Sequence, residues 1–143
     1  KEEVPQSGNG GSTNEGTGKG KGTGTVCILI AEDTDSNYDL LNAILSKQYR
    51  LVRANDGMEA VLLYDEVKPD LILMDIKMPN LDGLEATKII RELSATVPII
   101  AQSAFAYEHD VKAAMEAGCN DFIAKPIAQS KLKEVINKWL TKK

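Results

Sequence analysis

Five residues of this 143-residue chain have types and positions that could do chemistry together. Glu32 and Asp33 follow the apolar run Val26–Ala31, and Asp75 follows Leu71–Met74. Ser103 lies in Gln102-Ser103-Ala104, past a run ending at Ala101, and Lys125 follows Asp121–Ala124 and precedes Pro126. Three carboxylates gathered at one place would raise one another's pKa unless a cation joined them. A divalent ion with oxygen ligands resolves that conflict. Mg²⁺ usually takes one or two carboxylates, together with waters and phosphate oxygens. A serine hydroxyl can donate to a phosphoryl oxygen, and an ammonium can neutralise it. This set is the apparatus for moving a phosphoryl group onto an aspartate. For one carboxylate alone, capping the next helix is an equally good account. It is a poor account of all five in order.

The elements that must position them alternate. Strands are expected at Val26–Ala31, Tyr49–Ala54, Leu71–Met74, Val97–Ala101 and Asp121–Ala124. Short, wholly apolar runs such as VCILIA and LILM suit strands covered on both faces. Helices are expected at Asp35–Lys47, with Asp35 or Ser36 as cap, then Gly57–Val67, Leu84–Leu93, Tyr107–Ala117 and Gln129–Leu140. Their apolar faces are Leu41, Ile44 and Leu45; Ala60, Val61 and Tyr64; Ala86, Ile89, Ile90 and Leu93; and, in the last, Leu132, Val135, Ile136, Trp139 and Leu140. Right-handed crossovers make such a chain an α/β protein with a parallel sheet between two helical layers. Ligands of open parallel sheets bind beyond the carboxyl ends of the strands, where these five residues fall.

Composition narrows the classes. The formal charge is −4, and the basic stripe of a nucleic-acid-binding domain is missing. No apolar run has the length of a membrane span, so no membrane contact by this domain is expected. Cys27 and Cys119 stand apart and beside apolar residues, which reads as two free buried thiols of a reducing compartment. Eight of the 11 glycines precede residue 25. Residues 1–24 read as a flexible Gly/Ser/Thr-rich linker and residues 25–143 as one domain. The Gly18–Gly22 run lacks the spacing of a phosphate loop. A chain that opens on a linker, without methionine, reads as a piece of a larger protein.

The stretches ILIAEDTDSN (Ile28–Asn37), PDLILMDIKMPNLDGLEAT (Pro69–Thr87), PIIAQSA (Pro98–Ala104) and AGCNDFIAKPI (Ala117–Ile127) resemble the receiver domain of two-component response regulators. The likeness runs over essentially Val26–Leu140. It implies a doubly wound, flavodoxin-like three-layer sandwich with five parallel strands in the order 2-1-3-4-5. It implies Asp75 as phosphoacceptor, and Mg²⁺ held by Glu32, Asp33, Asp75 and the backbone carbonyl of Lys77. It gives Ser103, Lys125 and Phe122 phosphoryl-binding and switch roles, with Ala104 and Pro126 in support. Lys77 and Phe105 stand where side chains modulate dephosphorylation. The implied partners are a histidine kinase domain or a histidine phosphotransfer domain. Self-association would use the face of helix four, strand five and helix five.

A linker followed by a receiver, with nothing after Lys143, resembles the C-terminal receiver of a hybrid sensor histidine kinase, placed in the cytoplasm. The receiver alone carries no ATP-binding lobe and would not be a kinase. His109, in Tyr107-Glu108-His109-Asp110, reads as an exposed helix residue rather than a phosphorylatable one. Two rivals stand beside this reading. A flavodoxin-like carrier would need a phosphate cradle where Glu32-Asp33-Thr34-Asp35 is acidic. A receiver-like interaction module would bind partners without taking phosphate.

Overall fold

The computed structural model describes residues 26–141 apart from 79, 105 and 106. The expected linker, its Gly-Lys run and Phe105 lie outside the described residues. In chain order the elements are β1 (Cys27–Ala31), α1 (Asp35–Leu45), β2 (Arg50–Ala54), α2 (Gly57–Val67), β3 (Leu71–Asp75), α3 (Gly83–Leu93), β4 (Ile99–Ser103), α4 (Glu108–Ala117), β5 (Asp121–Ala124) and α5 (Gln129–Thr141). The sheet is parallel throughout and ordered β2-β1-β3-β4-β5. β1 is therefore the start of both windings. The strand order reverses between β1 and β3, whose carboxyl ends carry Glu32 and Asp75.

Alternation along each strand divides the core in two. Leu29, Ala31, Ile72, Met74, Ile99 and Ala101 face the layer of α2, α3 and α4, meeting Ala60, Tyr64, Ala86, Ile90 and Ala114. Ile28, Ile30, Leu71, Leu73, Ile100 and Ile123 face α1 and α5, meeting Leu41, Leu45, Leu132, Val135 and Ile136. β1, β3 and β4 are buried on both faces, which explains why they are apolar up to their carboxyl ends, where Asp75, Gln102 and Ser103 fall. Among the described residues no helix is long and apolar enough to cross a membrane.

Local chemistry sets the boundaries. Asp56 and Asp82 cap α2 and α3, accepting from the backbone N–H of Glu59 at 2.8 Å and of Glu85 at 2.9 Å. α1 departs from expectation. Its N-cap is Thr34, which makes no side-chain cap hydrogen bond, while Asp35 pairs with Arg53 Nη1 at 2.9 Å. β4 starts two residues later than the apolar run suggests. Val97 N–H is taken by Ser94 Oγ at 3.1 Å, and Pro98 has no N–H to give. The ladder opens when the Pro98 carbonyl accepts from Ile72 N–H at 2.9 Å. The shift draws Gln102 and Ser103 into the strand. On α3, Ile89 and Leu93 are exposed, and the packed face is Ala86, Thr87 and Ile90. Thr87 reaches the buried Cys119, with Oγ1 and Sγ 3.7 Å apart.

Candidate functional site

Three strand ends and one loop build the site. Glu32 leaves β1 fully buried, and Asp75 closes β3 at 4% exposure. Lys125 arrives from the end of β5, with its Nζ 3.0 Å from Glu32 Oε1 and 3.4 Å from Asp75 Oδ2. Glu32 and Lys125 are 93 residues apart in sequence. Asp33 is exposed, and its carboxylate closes the cluster from the solvent side. One oxygen from each of Glu32, Asp33 and Asp75 lies within 4.8 Å of the other two.

Burial pushes the Asp75 carboxyl up to about 6, and the Glu32 carboxylate pushes the same way. The Lys125 ammonium opposes both and does not cancel them. The cluster is thus short of positive charge. All its donors are hard oxygens in a compact, partly solvated group, and that fits a magnesium ion.

Backbone groups hold the carboxylates in place. Glu32 Oε2 accepts from Thr34 N–H at 3.2 Å and from Asn37 Nδ2 at 3.4 Å. Arg53 spans the β1–α1 turn. Its Nε donates to the Glu32 carbonyl at 3.1 Å, and its guanidinium lies over the Tyr38 ring. Asp75 Oδ1 accepts from the backbone N–H of Lys77 at 3.4 Å, while the Lys77 side chain is exposed. The loop after Asp75 returns tightly, because Gly83 N–H donates to the Ile76 carbonyl at 3.0 Å. A Cβ on Gly83 would collide with the Asp75 carbonyl, so glycine is required by this close approach.

Ser103 is buried at the end of β4. It pairs in register with Ala124, and Ala101 pairs with Phe122. Ser103 and Phe122 therefore share the sheet face covered by α2–α4, as diagonal neighbours. Asp75 and Gln102 are register partners on the opposite face. Ala104 and Pro126 are exposed at the rim, and the Lys125–Pro126 peptide is cis.

Both cysteines are free and buried at the far end of the sheet. Burial raises the Cys27 thiol to about 11 and raises Cys119 as well, so neither is a ready nucleophile. His109 is exposed on α4 and sits beside Asp110. Reading the sequence overlooked Asn37, Arg53 and Gln102. Gln102 carried a signal, a carboxamide at the end of an apolar run. Asn37 and Arg53 carried none, since their roles depend on a turn closing around Glu32.

Three comparisons bear on this arrangement. The family model described as "Response regulator receiver domain" matches residues 28–137. The chain is 42% identical over 125 residues to the hybrid signal transduction histidine kinase I of Dictyostelium discoideum, covering 80% of this chain and 7% of that protein's length. The receiver domain of sensor histidine kinase PA1611 from Pseudomonas aeruginosa PAO1, solved with a magnesium ion coordinated in the active site cleft, superposes with a TM-score of 0.77. Its identity is 36%, over 82% of this chain and 98% of that one. The receiver domain of Ssk1, solved with the histidine phosphotransfer protein Ypd1 of Saccharomyces cerevisiae, gives a TM-score of 0.76. Its identity is 32%, over 80% of this chain and 88% of that one.

Proposed function

The chain belongs to the response regulator receiver domain family and is a phosphoacceptor; from that premise we propose that Asp75 is the acceptor residue and that a phosphohistidine is the donor. The observation that carries this reading is the placement of Asp75. Among the described residues it is the one carboxylate that ends a central strand, sits beside the Lys125 ammonium and belongs to the three-carboxylate cluster.

A carboxylate oxygen of Asp75 attacks phosphorus in line with the P–N bond of the donor. The new O–P bond forms as the P–N bond breaks, and the imidazole nitrogen leaves with the electron pair and takes a proton. Magnesium, held by Glu32, Asp33, Asp75 and the Lys77 carbonyl, would supply positive charge to the phosphoryl oxygens. Lys125, beside Asp75, supplies a second positive charge. Thr34 N–H and Asn37 hold one oxygen of the Glu32 carboxylate, and its other oxygen meets Lys125.

Ser103 follows the phosphoryl group and donates its hydroxyl to it. Phe122, on the same sheet face, moves into the space this opens. The α4–β5–α5 face then changes shape, which biases an existing equilibrium between two states and serves partners or a second copy. Lys77 and Phe105 tune the loss of the phosphoryl group to water. The proposed donor is a histidine kinase domain or a phosphotransfer domain. The proposed parent is a hybrid histidine kinase carrying residues 25–143 as its receiver behind a linker, in the cytoplasm.

Intact mass after incubation with acetyl phosphate tests the assignment. A single phosphoryl adduct that needs Mg²⁺ and disappears in Asp75→Asn is expected. An adduct that persists in Asp75→Asn would overturn the choice of acceptor. A folded wild-type protein that takes none from acetyl phosphate or from a phosphohistidine donor would favour the interaction module.

A further inference from the structure

Gln102 is fully buried, and neither atom of its carboxamide has a hydrogen-bond partner among the described residues. A buried amide left in that state destabilises a fold, whereas an apolar side chain of similar size does not. Its neighbours on the α1/α5 side of the sheet show what packing alone would select. Ile100 lies two residues before it, and Ile123 is its register partner in β5. In the other direction its register partner is Asp75. The two side chains leave adjacent strands on the same face, one strand spacing of about 4.8 Å apart. The backbone there is locked, since the Gln102 carbonyl accepts from Ile76 N–H at 3.0 Å. Gln102 therefore leaves the sheet next to Asp75 and cannot withdraw with the strand.

Phosphoryl acceptance changes the electrostatics on that face. The Asp75 carboxylate becomes an acyl phosphate, and its charge moves outward onto the phosphoryl oxygens. Lys125 holds three donors, and its contacts to Glu32 and Asp75 must rearrange as the charge moves. A carboxamide donates and accepts at once and carries no charge. It can serve both partners once the charge has moved, donating to one and accepting from the other, which neither leucine nor glutamate can do.

We propose that Gln102 is a positioning residue for phosphoryl acceptance, whose Nε2 donates to the Asp75 side chain and whose Oε1 accepts from Lys125 once the phosphoryl group is in place. This rests on the reading of Asp75 as acceptor and extends it. The unpartnered amide is kept at a cost in stability because the loaded site uses it.

The test compares wild type, Gln102→Met and Gln102→Leu. Thermal midpoints are measured without magnesium, and phosphorylation rates with acetyl phosphate and Mg²⁺ by intact mass. Both variants should melt higher than wild type and accept phosphate roughly tenfold more slowly. A wild-type arm needs no variant. The Gln102 side-chain amide signal is followed by ¹H–¹⁵N NMR as Mg²⁺ and beryllofluoride, a phosphoryl mimic, are added. It should shift, and its protons should exchange more slowly with solvent. Variants that accept phosphate at the wild-type rate, or an amide signal unmoved on loading, would overturn the proposal. If a variant fails to fold, the NMR arm decides. A wild type that takes no phosphoryl group refutes the Asp75 reading instead and is distinguished at once.

Discussion

The two edges of the sheet treat their polar side chains in opposite ways. At the amino-terminal edge polar side chains complete hydrogen bonds at the strand ends and tie the neighbouring loops and helices together. Asp70 Oδ2 accepts from Cys27 N–H at 2.9 Å, and Asn120 Oδ1 accepts from Ile99 N–H at 2.9 Å. Arg91 clamps the same corner, donating to the Gly118 and Ser94 carbonyls and to Asn120 Oδ1. Trp139 Nε1 donates to Asp121 Oδ2 at 2.9 Å and ties α5 to β5. At the carboxyl-terminal edge two buried carboxylates share one ammonium, Asp75 is held far above its ordinary pKa, and Gln102 has no partner among the described residues. One edge is arranged for stability. The other carries unspent electrostatic tension, as expected where a site must respond to an incoming charge.

Three substitutions test that contrast. The largest effect is expected from Lys125→Met, which leaves Glu32 and Asp75 buried together without a cation. Removing one partner of a buried ion pair costs about 3–5 kcal/mol, so the magnesium-free protein should lose that much at neutral pH. Urea unfolding with and without Mg²⁺ measures it, and added Mg²⁺ should restore part of the loss. A loss below about 1 kcal/mol would mean that the carboxyl edge is not under tension.

Asp75→Asn should act in the other direction. The Asp75 carboxyl titrates near 6 in the fold and near 3.8 as a free side chain, so the folded state binds the proton more tightly. Its contribution to stability is fully present below about pH 4 and is lost as pH rises through 6. Asp75→Asn has no such charge to bury. It should therefore be more stable than wild type at pH 7 without magnesium, by roughly 2–3 kcal/mol. The gain should shrink as pH falls and vanish near pH 4. A pH series of denaturant midpoints checks it, and a gain independent of pH would contradict the assigned cause.

The smallest effect belongs to the quiet edge. Asn120→Ala takes the acceptor from Ile99 N–H and from Arg91 Nη2 and should cost about 1–2 kcal/mol. The cost should be the same from pH 5 to pH 8. The rate of phosphorylation should not change, because the corner lies at the opposite end of the strands. A phosphorylation defect in Asn120→Ala would show that the two edges are coupled.

Much of the fold was legible in the sequence for local reasons. Strands buried on both faces read as unbroken apolar runs, and helices read as apolar residues three and four apart. Errors arose where a tertiary partner overrode the local pattern. Asp35 pairs with Arg53 instead of capping α1, and Ser94 takes Val97 N–H, so β4 begins after Pro98. Ile89 and Leu93 lie on the apolar side of α3 but beyond the reach of the sheet.

The sequence by itself determined the order of the elements, the parallel class of the sheet and the edge to which Glu32, Asp33, Asp75, Ser103 and Lys125 belong. Those follow from side-chain period and from the handedness of crossovers, which act over short stretches of chain. Only the tertiary structure decided that Glu32 is buried while Asp33 beside it is exposed, and that Lys125 lies between Glu32 and Asp75. The same holds for Gln102, the register partner of Asp75, whose amide has no hydrogen-bond partner among the described residues. Burial and charge pairing depend on which strands become neighbours, and that is set when β3 and β4 insert between β1 and β5.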